Sequence, residues 1–129
     1  MIYLDSAAIV KLVHADAESA ALRDWLDERA ETAWVSSVLA EIESFRALAR
    51  HAPEAVARLP RVLDLIEFRD LDAGSRIVAQ TVPPVTVRSL DAIHLATALR
   101  IQPLTSLVTY DKRLADAART AGLTVDAPS

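Results

Sequence analysis

Met1-Ile2-Tyr3-Leu4-Asp5-Ser6-Ala7-Ala8-Ile9-Val10-Lys11-Leu12-Val13-His14 reads as a short apolar strand, an acid at its end, and a helix that begins almost at once. Met1 to Leu4 is apolar, and from Ala7 to His14 the residues Ile9, Val10 and Val13 fall at helical spacing. A strand passing into a helix is the unit of parallel sheets, because the helix carries the chain back for the next strand. The same order returns near the other end. There Leu107 to Thr109 is a strand, Asp111 to Ala121 a helix stopped by Gly122, and Thr124 to Asp126 a strand that closes the sheet.

Between these ends the alternation continues. Leu22, Trp25 and Leu26 mark a helix from Ser19 to Arg29, and Ala33 to Ser36 is a short buried strand. Ser37 to His51 is a helix with Val38, Ile42, Phe45 and Ala49 in one stripe. Pro53 opens a further helix reaching about Leu65. Ile66 to Leu71 reads as a strand and Asp72 to Gln80 as a helix capped by Asp72. Val82-Pro83-Pro84-Val85 is a stiff loop, the best candidate for a substrate-side flap. Ser89 to Ile101 is then a helix with Leu90, Ile93, Ala96 and Thr97 inward. The expected fold class is α/β, a mainly parallel sheet of four to five short strands with helices on both faces, in one domain over residues 1–129.

Composition narrows the chemistry. The chain is 52% hydrophobic and 25% charged, which suits a folded domain rather than a disordered one. Without cysteine there are no disulfides, thiolate metal sites or cysteine nucleophiles, and a reducing cytoplasmic location is expected. Gly74 and Gly122 are the only glycines, so neither a dinucleotide fingerprint nor a phosphate-binding loop can be built. The start lacks the basic residues and apolar core of a signal peptide, and no apolar run approaches the roughly 20 residues of a membrane span. A net charge of −4 argues weakly against a protein that coats nucleic acid. It does not exclude a nuclease whose acids gather around a cation.

The acids carry the chemical signal. In parallel sheets ligands bind beyond the carboxyl ends of the strands. Asp5 and Asp111 both stand there, each after a strand and before a helix. Each is also explained as an N-cap, and Asp91, in the first turn of its helix, as a favourable charge on the helix dipole. Mid-helix Glu43 needs no cap, and it shares a face with Arg46 and Arg50; Glu41 competes with it, and periodicity does not choose between the two. If these acids converge, each pair at 4 Å repels by about 4 kcal/mol at an effective dielectric of 20, so protons or a cation must neutralise them. Oxygen-only ligation then points to Mg²⁺ or Mn²⁺.

Other residues are weaker candidates. Ser6 stands beside Asp5 and equally well helps to cap the first helix. Thr109 and Tyr110 line the site or simply pack. His94, one turn after Asp91, invites the role of general base, although a lone helical histidine more often serves the structure. Lys11, Arg46, Arg88, Lys112 and Arg113 could reach phosphates, with solvated surface as the plain alternative.

Four segments together, M-I-Y-L-D-S-A-A-I-V-K-L, S-S-V-L-A-E-I-E-S-F-R-A-L, S-L-D-A-I-H-L-A-T-A-L and V-T-Y-D-K-R-L-A-D-A-A, resemble the PIN domain, and more narrowly the VapC toxins of VapBC toxin-antitoxin pairs. The resemblance spans nearly the whole chain. It carries the catalytic and metal-binding acids onto Asp5, Glu43, Asp91 and Asp111, and its E-x-x-R pattern selects Glu43 and Arg46, leaving Glu41 a bystander. It implies an α/β/α sandwich, Mg²⁺- or Mn²⁺-dependent cleavage of RNA by an activated water, a homodimer, and inhibition by a VapB antitoxin whose C-terminal segment plugs the cleft. Ala7 departs from the polar continuation of many relatives, which leaves support of Asp5 to Ser6. Lys11, Arg46 and Lys112 would serve neighbouring phosphates. The rival reading from another class is a non-catalytic binding module of the same fold. A phosphatase would want a second Asp where Ala7 stands, and a receiver domain would want paired acids. DNA as substrate stays open, since an activated water does not need the 2′-hydroxyl.

Overall fold

The computed structural model describes residues 1–129. Five parallel strands form the sheet: β1 (Ile2–Leu4), β2 (Trp34–Ser37), β3 (Ile66–Arg69), β4 (Ser106–Val108) and β5 (Val125–Asp126). Seven α-helices connect and cover them: α1 (Ser6–Val13), α2 (Ser19–Asp27), α3 (Leu39–His51), α4 (Leu59–Leu63), α5 (Ala73–Thr81), α6 (Ser89–Leu99) and α7 (Lys112–Thr120). No helix is long and apolar enough to cross a membrane.

The strand order is β3-β2-β1-β4-β5. The chain thus builds outward from β1 on one side, then returns to its other side for β4 and β5. The seam between β1 and β4 is where the direction of building reverses, the place where open parallel sheets form a ligand-binding crevice beyond their carboxyl edge. Leu4 pairs with Val108, and the Asp5 N–H donates to the Val108 carbonyl at 3.3 Å, so the seam stays closed up to the residue that leaves it.

Side-chain alternation along the strands sorts the core into two layers. Ile2, Leu4 and Val108 face a cluster with Ile9 and Val13 of α1, Leu22 of α2 and Leu48 of α3. Tyr3, Val35 and Leu107 face the opposite cluster with Leu95 and Ala98 of α6 and Leu114 of α7. The protein is therefore an α/β/α sandwich, as the strand and helix alternation led one to expect.

Three details differ from the sequence reading. The segment after Pro53 is not one helix: a 3-10 helix at Pro53–Arg58 precedes α4, because Pro60 near the start of α4 has no N–H to continue the ladder. On α3 the buried positions are Ala40, Ser44 and Leu48, whereas Ile42 and Phe45 of the expected stripe are exposed. On α6, Ala96 and Thr97 are buried as expected, but Leu90 is exposed and Ile93 only half-buried, and the inner face is Ala92, His94, Leu95 and Ala98. In both helices small side chains beside Leu48 and Leu95 allow close approach to the layer beneath, while Ile42, Phe45 and Leu90 are turned outward.

Candidate active site

The seam gathers side chains from four elements. Asp5 leaves β1 and caps α1: its Oδ1 accepts the Ala8 N–H at 2.9 Å. Asp111 follows β4 by three residues and caps α7, with Oδ1 accepting the Arg113 N–H at 2.8 Å and the Leu114 N–H at 3.0 Å. Both capping explanations are therefore correct, and they do not compete with a role in binding. A carboxylate has about four lone-pair sites and a cap uses only part of them. Ser6 is half-buried in the first turn of α1, beside this cap.

Thr109 is fully buried between these acids. Its Oγ1 accepts the Asp111 N–H at 3.1 Å, and its hydroxyl also favours the charged form of the Asp5 carboxyl. Asp5 is itself buried at 5% exposure. Burial pushes its carboxyl above the ordinary range, and nearby Glu43 adds repulsion. Hydrogen bonds from Thr109 and Ala8, and the proximity of His94, pull it back.

Asp91 lies in the first turn of α6 and is half-buried. Its carboxyl is also pushed up, first by desolvation, then by the charge of Asp111 and, more weakly, of Glu43, while His94 and Arg88 oppose the rise. The repulsions join Asp5 to Glu43, and Asp91 to both Glu43 and Asp111. Four acids far apart in sequence thus share one electrostatic neighbourhood. No three acidic or histidine side chains stand close enough to make a ready cage for a metal ion. Like charges with nothing between them separate, and these have local partners to turn to: helix amides for Asp5 and Asp111, an imidazole for Glu43. As a donor set, oxygen-only and surplus in negative charge, they fit a hard dication.

His94 is the residue whose place the sequence left least resolved. It is 2% exposed, with Nε2 at 2.6 Å from Glu43 Oε1 and Nδ1 at 2.6 Å from the Tyr3 hydroxyl. Both ring nitrogens are engaged, so His94 is neither a free base nor a free ligand here. Tyr3 was legible only as a strand residue. The available signal was chemical: a tyrosine in a fully buried strand needs a partner for its hydroxyl.

The cations are arranged otherwise than the sequence implied. Lys11 Nζ is tied to Asp16 at 2.6 Å and Glu18 at 3.2 Å, and lies 4.6 Å from the Tyr110 ring centroid. It is committed to its own loop rather than to a phosphate. The Tyr110 hydroxyl donates to the Pro128 carbonyl at 2.9 Å; burial first, then Glu18, Asp16 and Asp5, push its pKa up to about 12. Arg46 does not join Glu43 but lines an exposed apolar groove with Glu41, Ile42, Phe45 and Leu63. Lys112 and Arg113 are exposed in the first turn of α7, next to Asp111, and Arg88 precedes α6 near Asp91. Pro84, Thr86 and Val87 line a surface cavity together with Arg113 and Asp116 of α7.

Residues 2–120 match the PIN domain family. The chain belongs to that family. Within it the chain is of the VapC type. Ribonuclease VapC35 of Mycobacterium tuberculosis is 47% identical over 131 residues, covering 99% of this chain and 97% of the relative. The crystal structure of M. tuberculosis VapC20, described as a sarcin-ricin loop cleaving toxin, superposes with a TM-score of 0.76 at 14% identity, covering 99% and 100% of the two chains. VapBC2 of Rickettsia felis, solved bound to a DNA fragment from its promoter, gives 0.67 at 14% identity over the full length of both. These two structures share the PIN fold with this chain. Of the four acids of this PIN domain, Asp5 follows β1 and caps α1, Glu43 is on α3, Asp91 is on α6 and Asp111 caps α7.

Proposed function

We propose that this VapC-type protein is an endoribonuclease toxin of a type II toxin-antitoxin pair, with Asp5, Glu43, Asp91 and Asp111 as its catalytic and metal-binding residues. One observation carries the reading: four acids from four elements share one neighbourhood at the switch point of a parallel sheet, where burial first, and then the charge of the neighbouring acids, raises Asp5 and Asp91. A fold gains nothing from such crowding, and perturbed carboxyls in a crevice are the mark of a functional site.

A divalent cation, Mg²⁺ or Mn²⁺, would supply Lewis acidity toward a phosphodiester and lower the pKa of the attacking water. Asp5, half committed to its cap, offers its remaining lone pairs from the floor of the crevice, and Asp91 offers its carboxylate from the facing helix. Asp111 and Glu43 complete the set from either side. Lys112, Arg113 and Arg88 form the exposed positive rim that meets neighbouring phosphates, in place of Lys11 and Arg46. Thr109 serves Asp5 and the Asp111 backbone together, and Ser6 follows Asp5 in the first turn of α1.

A VapB-type antitoxin is the expected inhibitor, the active form is a homodimer, and RNA as substrate puts its work in the cytoplasm. The naming of VapC35 as a ribonuclease and the complex form of VapBC2 support the nuclease and antitoxin parts. Purified protein should cut RNA with Mg²⁺ or Mn²⁺ and stop on chelation. Asp5→Asn and Asp91→Asn should each abolish cleavage while keeping the circular dichroism spectrum; full activity in either variant would defeat the assignment.

A further inference from the structure

A hydrogen-bonded chain runs from the centre of the sheet to the acidic edge. It begins at Tyr3 on β1, passes through the His94 ring on α6, and ends on Glu43 of α3, with both links at 2.6 Å. Tyr3 has no exposed surface and His94 has 2%, whereas the Glu43 side chain is 22% exposed. The chain thus joins a rigid interior to a group standing at the rim.

Its polarity follows from the donor inventory. A carboxylate only accepts, so Nε2 carries the proton shared with Glu43, and in the neutral ring Nδ1 accepts from the Tyr3 hydroxyl. The Tyr3 hydroxyl, a phenol O–H, is the donor in that link. The two rings also meet edge to face, with centroids 5.7 Å apart and planes at 80°. His94 therefore has its tautomer and its ring orientation set from behind, as do histidines that act as fixed supports.

Glu43 needs such a support more than its neighbours do. Asp5 and Asp111 are short side chains fixed by helix amides, and Asp91 sits on an N-terminal turn. Glu43 has a longer, freer side chain in the middle of an exposed helix face, next to acids that repel it. Its hydrogen-bonding partner is His94.

We propose that His94, oriented by Tyr3, is a positioning residue that holds the Glu43 carboxylate at the acidic edge, so that cation affinity there depends on a chain anchored in the core. This rests on the reading of the four acids as one cation site. His94 acts through Glu43 and touches neither cation nor substrate.

Titration calorimetry with Mn²⁺ alone tests it, with no RNA present. His94→Leu should weaken Mn²⁺ binding by about 10- to 100-fold, the usual range for a lost support of a metal ligand. Tyr3→Phe, which removes one oxygen, should weaken it less but measurably. His94→Gln, whose amide N–H can reach the same carboxylate, should recover most of the loss. In a Glu43→Gln background, His94→Leu should change nothing further, because the residue through which it acts is already disabled.

Unchanged affinity in both His94→Leu and Tyr3→Phe, or an equal loss with and without the Glu43 carboxylate, overturns the proposal. If His94→Leu does not fold, Tyr3→Phe alone and in the Glu43→Gln background separates the same two results. A wild type that binds Mn²⁺ no more tightly than Asp5→Asn and Asp91→Asn overturns the cation reading and this inference with it. Acid-dependent binding that ignores His94 and Tyr3 overturns the inference alone.

Discussion

Thr109 Oγ1 accepts the backbone N–H of Asp111 at 3.1 Å, and the same buried hydroxyl helps to hold down the carboxyl of Asp5, so one side chain serves the two acids that leave adjacent strands. Thr109→Val keeps the shape and removes the hydroxyl that serves both. Leaving the buried Asp111 amide without its partner, and Asp5 with the Ala8 amide alone, should destabilise the fold by about 1–3 kcal/mol in urea unfolding. The Asp5 carboxyl, which this hydroxyl helps to hold down, should rise further, visible as an upward shift in its titration by NMR. A variant as stable as wild type would show that the hydroxyl is dispensable.

The raised carboxyls of Asp5 and Asp91 set a pH dependence of defined sign. Between about pH 4, where an unfolded Asp titrates, and their higher folded values, the native state binds more protons than the unfolded one. Their contribution is therefore most favourable at low pH and is lost as pH rises through the folded values. Asp16 and Asp72, lowered by Lys11 and by the Ser75 amide with Arg100 respectively, act oppositely below that window. Comparing wild type with Asp91→Asn isolates the site: the variant should melt a few degrees higher at pH 7, and the gap should close toward pH 4. A gap that does not vary with pH would contradict a raised Asp91 carboxyl.

The face that α3 presents to the core has opposite consequences for two large side chains. Leu48 is 1% exposed, so Leu48→Ala should cost about 2–5 kcal/mol. Phe45 is 51% exposed, and Phe45→Ala should stay within about 0.5 kcal/mol in the same denaturant titration. Similar losses for both would mean that the groove lined by Ile42 and Phe45 is filled.

Salt dependence separates committed cations from free ones. Lys112→Ala and Arg113→Ala should each weaken RNA binding and reduce the salt slope by about 1, since each lost phosphate contact releases one fewer counterion. Lys11→Ala should leave the slope unchanged, because Asp16 and Glu18 already occupy that ammonium. Fluorescence anisotropy with a non-cleaved RNA across a salt series reads both.

The order of strands and helices was legible because the period of apolar residues changes sharply at Asp5, Ser37 and Asp111, and because Asp5, Asp72 and Asp111 announce caps that all three make. Helix faces were less legible. Burial on α3 and α6 favours Ala40, Ser44, Ala92 and Ala98 over Ile42, Phe45 and Leu90, since close packing of layers selects small side chains, which apolar weight alone does not reveal. The acids at strand ends followed from topology, but the attachments of Glu43 and Lys11 did not. Glu43 meets His94 across 51 positions, and Lys11 meets a loop that carries no periodicity. Such contacts depend on how elements are stacked, and a linear pattern holds no record of that.

The central claim is that Asp5, Glu43, Asp91 and Asp111 serve one dication. Crystals grown with Mn²⁺ and measured at the manganese absorption edge test it most directly. The account predicts an anomalous peak in the β1–β4 crevice, within coordination distance of carboxylate oxygens from Asp5 and Asp91. Peaks only elsewhere on the surface, or none at saturating Mn²⁺, would contradict it.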